Sequence, residues 1–85
     1  TTTPLQALSL LNNSFVLRMS NAFASRLERE VGDNLQDQVA LAWQLSVARN
    51  PSKVEQELSE KLVRQHGLAA LCRGLFNMNE FVIIE

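Results

Sequence analysis

The sequence contains few of the side chains from which metal, disulfide and nucleophilic sites are built. It has one cysteine, one histidine and no tyrosine among its 85 residues. A single cysteine cannot form a disulfide within the chain, and a zinc site needs several Cys, His or carboxylate ligands at close spacing. The three glycines are scattered, which excludes a glycine-rich phosphate-binding loop. We therefore predict no metal site and no cofactor.

The charges are nearly balanced, and no apolar run is long. Eight Lys and Arg residues against nine Asp and Glu residues give a formal net charge of -1. This balance provides no basic surface for nucleic acid or for an anionic membrane. No apolar run exceeds five residues, far short of the roughly 20 residues that span a bilayer. These absences disfavour a nucleic-acid-binding protein and a membrane-spanning one.

Hydrophobic residues make up 46% of the chain, which is the level of an ordinary globular domain and argues against disorder. Their spacing follows the helical repeat over most of the sequence. We predict that residues 1–85 form a single all-α domain. The predicted architecture is a small bundle of about five helices with a short extended C-terminal tail.

The first predicted helix begins after three threonines. Thr3 suits the N-cap position, Pro4 the first helical position and Gln6 the third, and together they form a capping box. An apolar stripe follows up to Asn12 and Asn13, and consists of Leu5, Leu8 and Leu11. We expect this helix to pack against the last helix and its tail, and so to close the bundle.

The second and third predicted helices are separated by Gly32. The second begins near Ser14 after Asn13 as its N-cap. Its apolar stripe consists of Phe15, Met19, Ala22, Phe23 and Leu27. The third is capped by Asp33 and is apolar on most of its circumference, so we place it at the centre of the bundle with Trp43 buried.

The fourth and fifth predicted helices follow the break at Pro51. Ser52 and Glu55 form a second capping box. The apolar stripe of the fourth helix is narrow and consists of Val54, Leu58 and Leu62. Gly67 separates it from the last helix, whose apolar residues include Leu68, Leu71, Cys72, Leu75 and Phe76. The β-branched residues at 82–84 favour an extended tail over further helix. An apolar helical end is the alternative.

Two sets of residues are candidates for catalysis, and for each we favour a structural role. His66 and Cys72 are the residue types of a Cys–His nucleophilic pair, but no third group orients them, and we interpret Cys72 as a small buried hydrophobe. Glu55, Glu57 and Glu60 lie on a charged, solvated helix face. Paired catalytic carboxylates need a cleft that separates their pKa values. We therefore predict no catalytic residues and no enzyme activity.

The last helix contains two further features with a structural and a functional interpretation. Gly74 in mid-helix costs about 1 kcal/mol relative to Ala, which favours a close helix contact at that position. Asn77, Asn79 and Glu80 lie between an apolar helix and an apolar tail. Polar groups in such a position need partners or water, and we favour a helix C-cap and turn over a ligand site.

Three segments together resemble a known family. They are TTTPLQALSLLNN at residues 1–13, ARNPSKVE at 48–55 and LCRGLFNMNEFVIIE at 71–85. In this order and spacing they are similar to the C-terminal end of the planctomycete secreted-domain family of unknown function. Two positions depart from its pattern: Ser14 stands where that family often has proline, and Ala48 where it often has glycine.

The resemblance implies a context for the chain. Members of that family are large exported proteins that often carry a cytochrome c-like domain, with a signal sequence or lipid attachment. The chain begins with Thr1 and not with methionine. We therefore expect a domain excised from the C-terminal end of a larger multidomain protein, exported to the periplasm or cell surface. The resemblance supplies no catalytic residues.

We expect a non-catalytic structural or interaction module of such a protein. Its partners would be other domains of the parent chain or a protein partner, without nucleic acid and without membrane insertion. A homo-oligomer formed through the tail at residues 81–85 is a further expectation, since an apolar extended tail is suited to pairing with a second copy. The alternative is an accessory domain that completes a substrate or cofactor cleft of a parent enzyme or cytochrome-linked protein.

Overall fold

The computed structural model describes the backbone of residues 14–84 and the side chains of residues 14–78. Over this part of the chain every regular element is an α-helix. The elements are α1 (Ser14–Val31), α2 (Leu35–Val47), α3 (Lys53–His66) and α4 (Leu68–Ile84). The all-α prediction is confirmed, with four helices over the described residues where about five were predicted for the whole chain. The first predicted helix and the Asn13 cap lie outside the described residues.

Helices α2 and α4 occupy the middle of the bundle. Each packs against all three other helices, whereas α1 and α3 pack mainly against these two. The central position predicted for the Trp43 helix is therefore shared with α4. Helix α4 is also central because its residues between Leu68 and Asn77 are buried around most of its circumference.

Trp43 is the largest fully buried side chain of the core, as predicted. It lies in a cluster to which all four helices contribute, from Leu27 of α1 to Leu75 of α4. The other buried members are Val39, Ala42, Leu62, Leu68, Leu71 and Cys72. Burying an aromatic side chain of this size removes roughly 150–250 Å² from water, so this residue dominates the core.

The helix ends lie where the local capping residues predict, except that the N-cap of α2 is displaced by one residue. Gly32 has a φ of 71° and its N–H bonds to the Glu28 carbonyl at 2.9 Å, which ends α1 as predicted. The N-cap of α2 is Asn34, whose side chain accepts from the Asp37 N–H at 3.0 Å. The prediction of Asp33 was wrong by one residue, because Gly32 and Asp33 together form the turn that follows α1.

The inner face of α1 is rotated from the predicted stripe. Phe15 and Met19 are 60% and 37% exposed, while Val16 and Ser20 are buried. Ser20 can be buried because its hydroxyl donates to the Val16 carbonyl at 2.6 Å, which satisfies the polar group inside the helix. Of the predicted stripe, Leu27 is fully buried.

The inner face of α3 is also rotated. Val54 and Leu58 are exposed, and Leu62 is the member of the predicted stripe that is buried. Ser59 lies inside instead, with 1% exposure. Its hydroxyl accepts a hydrogen bond of 2.9 Å from Trp43 Nε1, and this partner makes a serine the better inner residue.

The C-terminal tail is helical. Helix α4 continues to Ile84, so the prediction of an extended tail at residues 81–84 was wrong. Each residue that prolongs an existing helix adds one backbone hydrogen bond, whereas the lower helix propensity of β-branched residues costs only a few tenths of a kcal/mol. Because the backbone at residues 81–84 is helical, it does not form an unpaired strand. It therefore does not offer a strand for pairing with a second copy. Self-association through this end of the chain stays a prediction.

Candidate functional site

His66 and Cys72 do not form a nucleophilic pair. His66 is exposed at the end of α3, and Cys72 is fully buried in α4. Burial raises the pKa of the Cys72 thiol to about 12, so the reactive thiolate is disfavoured. Within the described part of the chain, no group of three or more Cys, His, Asp or Glu residues has the arrangement of a metal site.

The three carboxylates of α3 do not share a site. Glu55 accepts hydrogen bonds from Arg49, and Glu60 accepts one from Gln56 Nε2 at 2.7 Å. Glu57 is exposed to solvent. This arrangement lacks the shared cleft in which two carboxylates divide the roles of acid and base.

The C-terminal polar residues do not form a helix cap. Asn77 is 1% exposed and lies inside α4, which continues for seven more residues to Ile84. The predicted C-cap and turn at residues 77–80 were therefore wrong, because the helix does not end there. Gly74 is buried in the same helix, as a close helix contact would require. The side chains of Asn79 and Glu80 lie outside the described residues.

The connection between α2 and α3 contains the densest set of polar contacts in the described chain. We call Arg49, Ser52 and Glu55 the α2–α3 clasp. Arg49 Nη1 and Nη2 donate to Glu55 Oε1 and Oε2 at 2.7 and 2.9 Å, forming a two-pronged ion pair. The Ser52 N–H donates to Glu55 Oε1 at 2.8 Å, and the Glu55 N–H donates to the Ser52 hydroxyl at 3.1 Å. The predicted capping box is confirmed.

The α2–α3 clasp also reaches the core. The guanidinium carbon of Arg49 lies 5.1 Å from the centroid of the Trp43 ring, within the range of a cation–π contact. Ala48, immediately before Arg49, ends α2 with a φ of 61° and a ψ of 29°. This role of Arg49 was not predicted from the sequence. A signal was present in the sequence. Arg49 lies six residues before Glu55, the N3 residue of the predicted capping box, with Pro51 between them.

An apolar groove lies between α1 and α2, with a volume of about 430 Å³. We call it the α1–α2 groove. The ring of Phe23 stacks on that of Phe76 from α4, with 5.3 Å between their centroids. The groove is lined by Met19, Ala22, Phe23, Arg26, Leu45, Ser46 and Phe76. This surface was not predicted, because the sequence placed Met19 and its neighbours in the core.

Over the described residues, the fold is that of a small all-helical bundle. Its sequence belongs to the PSD1 family, described as a protein of unknown function (DUF1553), and the family model matches residues 1–63. The match includes the segments at 1–13 and 48–55 on which the resemblance partly depended. No curated protein and no solved structure matches the chain. Among the described residues, no helix is long and apolar enough to cross a membrane.

Proposed function

We propose that this domain is a non-catalytic packing module, which docks on other domains of a longer parent chain or on a protein partner. The observation that carries the proposal is an exposed apolar pair on α3, Val54 and Leu58, which we call the α3 edge. The two side chains are 65% and 41% exposed. The exposed charged residues Lys53, Glu57 and Lys61 flank them on one side of the helix. An apolar centre with a polar rim is the usual composition of a protein interface.

The position of the α3 edge supports this interpretation. Val54 and Leu58 continue the row that begins with Leu62 in the core, at helical spacing of four residues. The row therefore leads from the core to the surface, where a second protein surface would extend the same apolar packing.

The α2–α3 clasp supports a structural role over a catalytic one. The Glu55 carboxylate is occupied by Arg49 and by the Ser52 N–H, so its charge holds the corner between two helices. A catalytic carboxylate needs a pKa near the working pH, whereas the pKa of Glu55 is lowered to about 2. We further propose, from the motif resemblance, that the parent protein is exported.

Hydroxyl-radical footprinting tests the proposal. The isolated chain and the complete gene product are oxidised under the same conditions, and oxidation is quantified by mass spectrometry for residues 53–61 and for residues 15–19. We expect oxidation at Val54 and Leu58 to be several-fold lower in the complete gene product, with little change at Phe15 and Met19. In the variant Val54→Gln/Leu58→Gln the other residues of the segment 53–61 should lose their protection, and in the control Gln44→Ala, at an exposed position of α2, the segment should keep it.

Equal oxidation of the α3 edge in the two proteins would contradict the proposal. So would protection that is unchanged in the Val54→Gln/Leu58→Gln variant, because the apolar pair would then not be the docking surface. Circular dichroism of each variant confirms that the helices are retained.

A further inference from the structure

Helix α1 carries an exposed apolar stripe beside its buried face. The stripe consists of Phe15, Met19 and Ala22, at steps of four and three residues. The side chains of Phe15 and Met19 are 60% and 37% exposed. Met19 and Ala22 also line the α1–α2 groove, which Leu45, 41% exposed, lines from the α2 side. The stripe and the groove therefore form one apolar surface, which we call the α1 face.

Three exposed arginines of α1 border the α1 face. Arg26 follows Ala22 by four residues and lines the groove. Arg18 precedes Ala22 by four residues, and Arg29 follows it by seven. Residues at these spacings lie in one row along a helix, so Arg18 and Arg29 stand along one edge of the apolar stripe.

The acidic residues of α1 leave much of this positive charge uncompensated. Glu30 forms an ion pair with Arg26. Glu28, two residues beyond Arg26, lies on the opposite side of the helix. Among the described residues, Arg18 and Arg29 have no carboxylate partner. The chain as a whole has a formal net charge of -1, so the positive border of the α1 face is a local feature.

We propose that the α1 face is the docking surface for an amphipathic helix with acidic flanks, supplied by a partner protein. A groove between two helices takes the apolar row of a third helix. Glutamates on the flanks of that helix would then meet Arg18 and Arg29, and arginine binds carboxylates through two parallel hydrogen bonds. The proposal goes beyond the docking role of the α3 edge and does not rest on it.

Charge disfavours a second copy of the chain as the occupant. Pairing two α1 faces would bring the positive borders of both copies together, and like charges across an interface are unfavourable. The α3 edge of a second copy is flanked by Lys53 and Lys61, with Glu57 between them. Within the described part of the chain, neither of these two apolar surfaces has an acidic border.

Two synthetic helical peptides test the proposal. Both have the same row of leucines at steps of four and three residues, and they carry either glutamate or lysine on the two flanks. Their affinities for the full chain are measured by fluorescence anisotropy at low ionic strength. We expect the glutamate peptide to bind at least about tenfold more tightly than the lysine peptide. Its affinity should fall as salt is added.

Charge reversal in the chain locates the binding site. The variant Arg18→Glu/Arg29→Glu should prefer the lysine peptide. The variant Lys53→Glu/Lys61→Glu makes the same change of net charge beside the α3 edge and should keep the preference for the glutamate peptide. Met19→Gln should weaken the binding of the glutamate peptide several-fold, because it makes the centre of the α1 face polar. Circular dichroism confirms that each variant keeps its helices.

Four results would overturn the proposal. The first is that the glutamate peptide does not bind, and the second is that the two peptides bind equally. The third is loss of the preference in Lys53→Glu/Lys61→Glu, which would place the peptide on the α3 edge. The fourth comes from sedimentation velocity without peptide. A concentration-dependent dimer that Met19→Gln abolishes would show that a second copy occupies the α1 face.

Discussion

At the scale of the residue, Trp43 joins the core to the polar contacts of the α2–α3 connection. Its ring is fully buried, its Nε1 donates to Ser59, and Arg49 lies over its face. Replacing it therefore removes apolar burial and leaves a buried hydroxyl without its donor. Deletion of one partner of a buried hydrogen bond costs about 1–3 kcal/mol, and a large cavity costs more.

We predict that Trp43→Ala lowers the free energy of unfolding by about 3–5 kcal/mol. Trp43→Phe keeps most of the volume and should cost less, mainly through the lost donor to Ser59. In the Trp43→Phe background, Ser59→Ala should then be nearly neutral, because the hydroxyl no longer has a partner. Urea unfolding followed by circular dichroism measures each variant, with Gln44→Ala as the exposed control. A loss below about 1 kcal/mol for Trp43→Ala would contradict a core built on this side chain.

The second residue-scale prediction concerns Glu55 and pH. The hydrogen bond from Arg49, with smaller contributions from Ser52, lowers the pKa of Glu55 from 4.5 to about 2. Because the folded-state pKa is the lower one, this stabilisation is complete above pH 4.5 and is lost as the pH falls toward 2. The side chain of Arg49 is 53% exposed, so solvent screening limits the contribution to about 1 kcal/mol.

Glu55→Gln should therefore be less stable than the wild type at pH 7, and the difference should shrink at pH 3. Glutamine at this position keeps the capping box, so the variant isolates the charge. Urea midpoints at the two pH values measure the effect. Glu30→Gln is the matched control. The side chains of Glu30 and Arg26 are both exposed, so their ion pair should contribute little to stability at either pH. The same stability difference at pH 3 as at pH 7 would show that the ion pair does not stabilise the fold.

At the scale of the element, the backbone at the end of α2 is strained at one residue, and a substitution can relieve this strain. Ala48 has a φ of 61° and is the one non-glycine residue with a positive φ among the residues described. The left-handed conformation costs an L-residue about 1 kcal/mol or more, and glycine adopts it freely. This is the position at which glycine is most often found after a helix.

We predict that Ala48→Gly raises the free energy of unfolding by about 0.5–1 kcal/mol, after allowing for the greater freedom of glycine in the unfolded chain. Ala40→Gly, inside α2, is the matched control and should lower it by about 1 kcal/mol. Both changes replace alanine by glycine. If the free energy of unfolding, measured with urea, rises for one and falls for the other, the difference comes from the backbone conformation at the two positions. A loss of stability in Ala48→Gly would mean that the strain is absent.

The same scale shows which features of the fold the sequence predicts. Helix ends depend on a few neighbouring residues, so Gly32, Ser52 and Gly67 were placed correctly from the sequence. The inner faces of α1 and α3 depend on distant partners, and there the apolar pattern was misleading. Ser59 is buried because Trp43, sixteen residues earlier, provides its donor. The helical spacing of apolar residues does not predict such a contact.

The candidate sites were predictable to a similar extent. The separation of His66 from Cys72, and the dispersed carboxylates of α3, agree with the roles expected from the sequence. The clasp was missed in part, since Arg49 and Glu55 are joined across a loop whose conformation depends on Ala48 and Pro51. The α1–α2 groove was missed entirely, because its existence depends on how far α1 is rotated against α4.

At the scale of the whole molecule, the C-terminal turn of α4 belongs to the helix that contacts the three others. Helix α4 packs against the three other helices, and its backbone continues helically to Ile84. The last turn contains the apolar run at residues 81–84. The surfaces that can cover such a run belong either to the same bundle or to another partner, which is a second copy or another domain of a parent chain. The two arrangements predict different consequences of removing it.

We predict that deleting residues 81–85 lowers the melting temperature of the monomer, because burial of even one or two large apolar side chains stabilises a domain by about 1.5–3 kcal/mol each. A second variant replaces residues 81–84 with alanine. It keeps the helix, since alanine has the highest helix propensity, and removes the apolar side chains. If the side chains complete the core, both variants should lose similar stability in thermal unfolding at low protein concentration. Sedimentation velocity determines whether each remains monomeric. An unchanged melting temperature together with the loss of a concentration-dependent dimer would contradict this closure, and would assign the last turn of α4 to self-association.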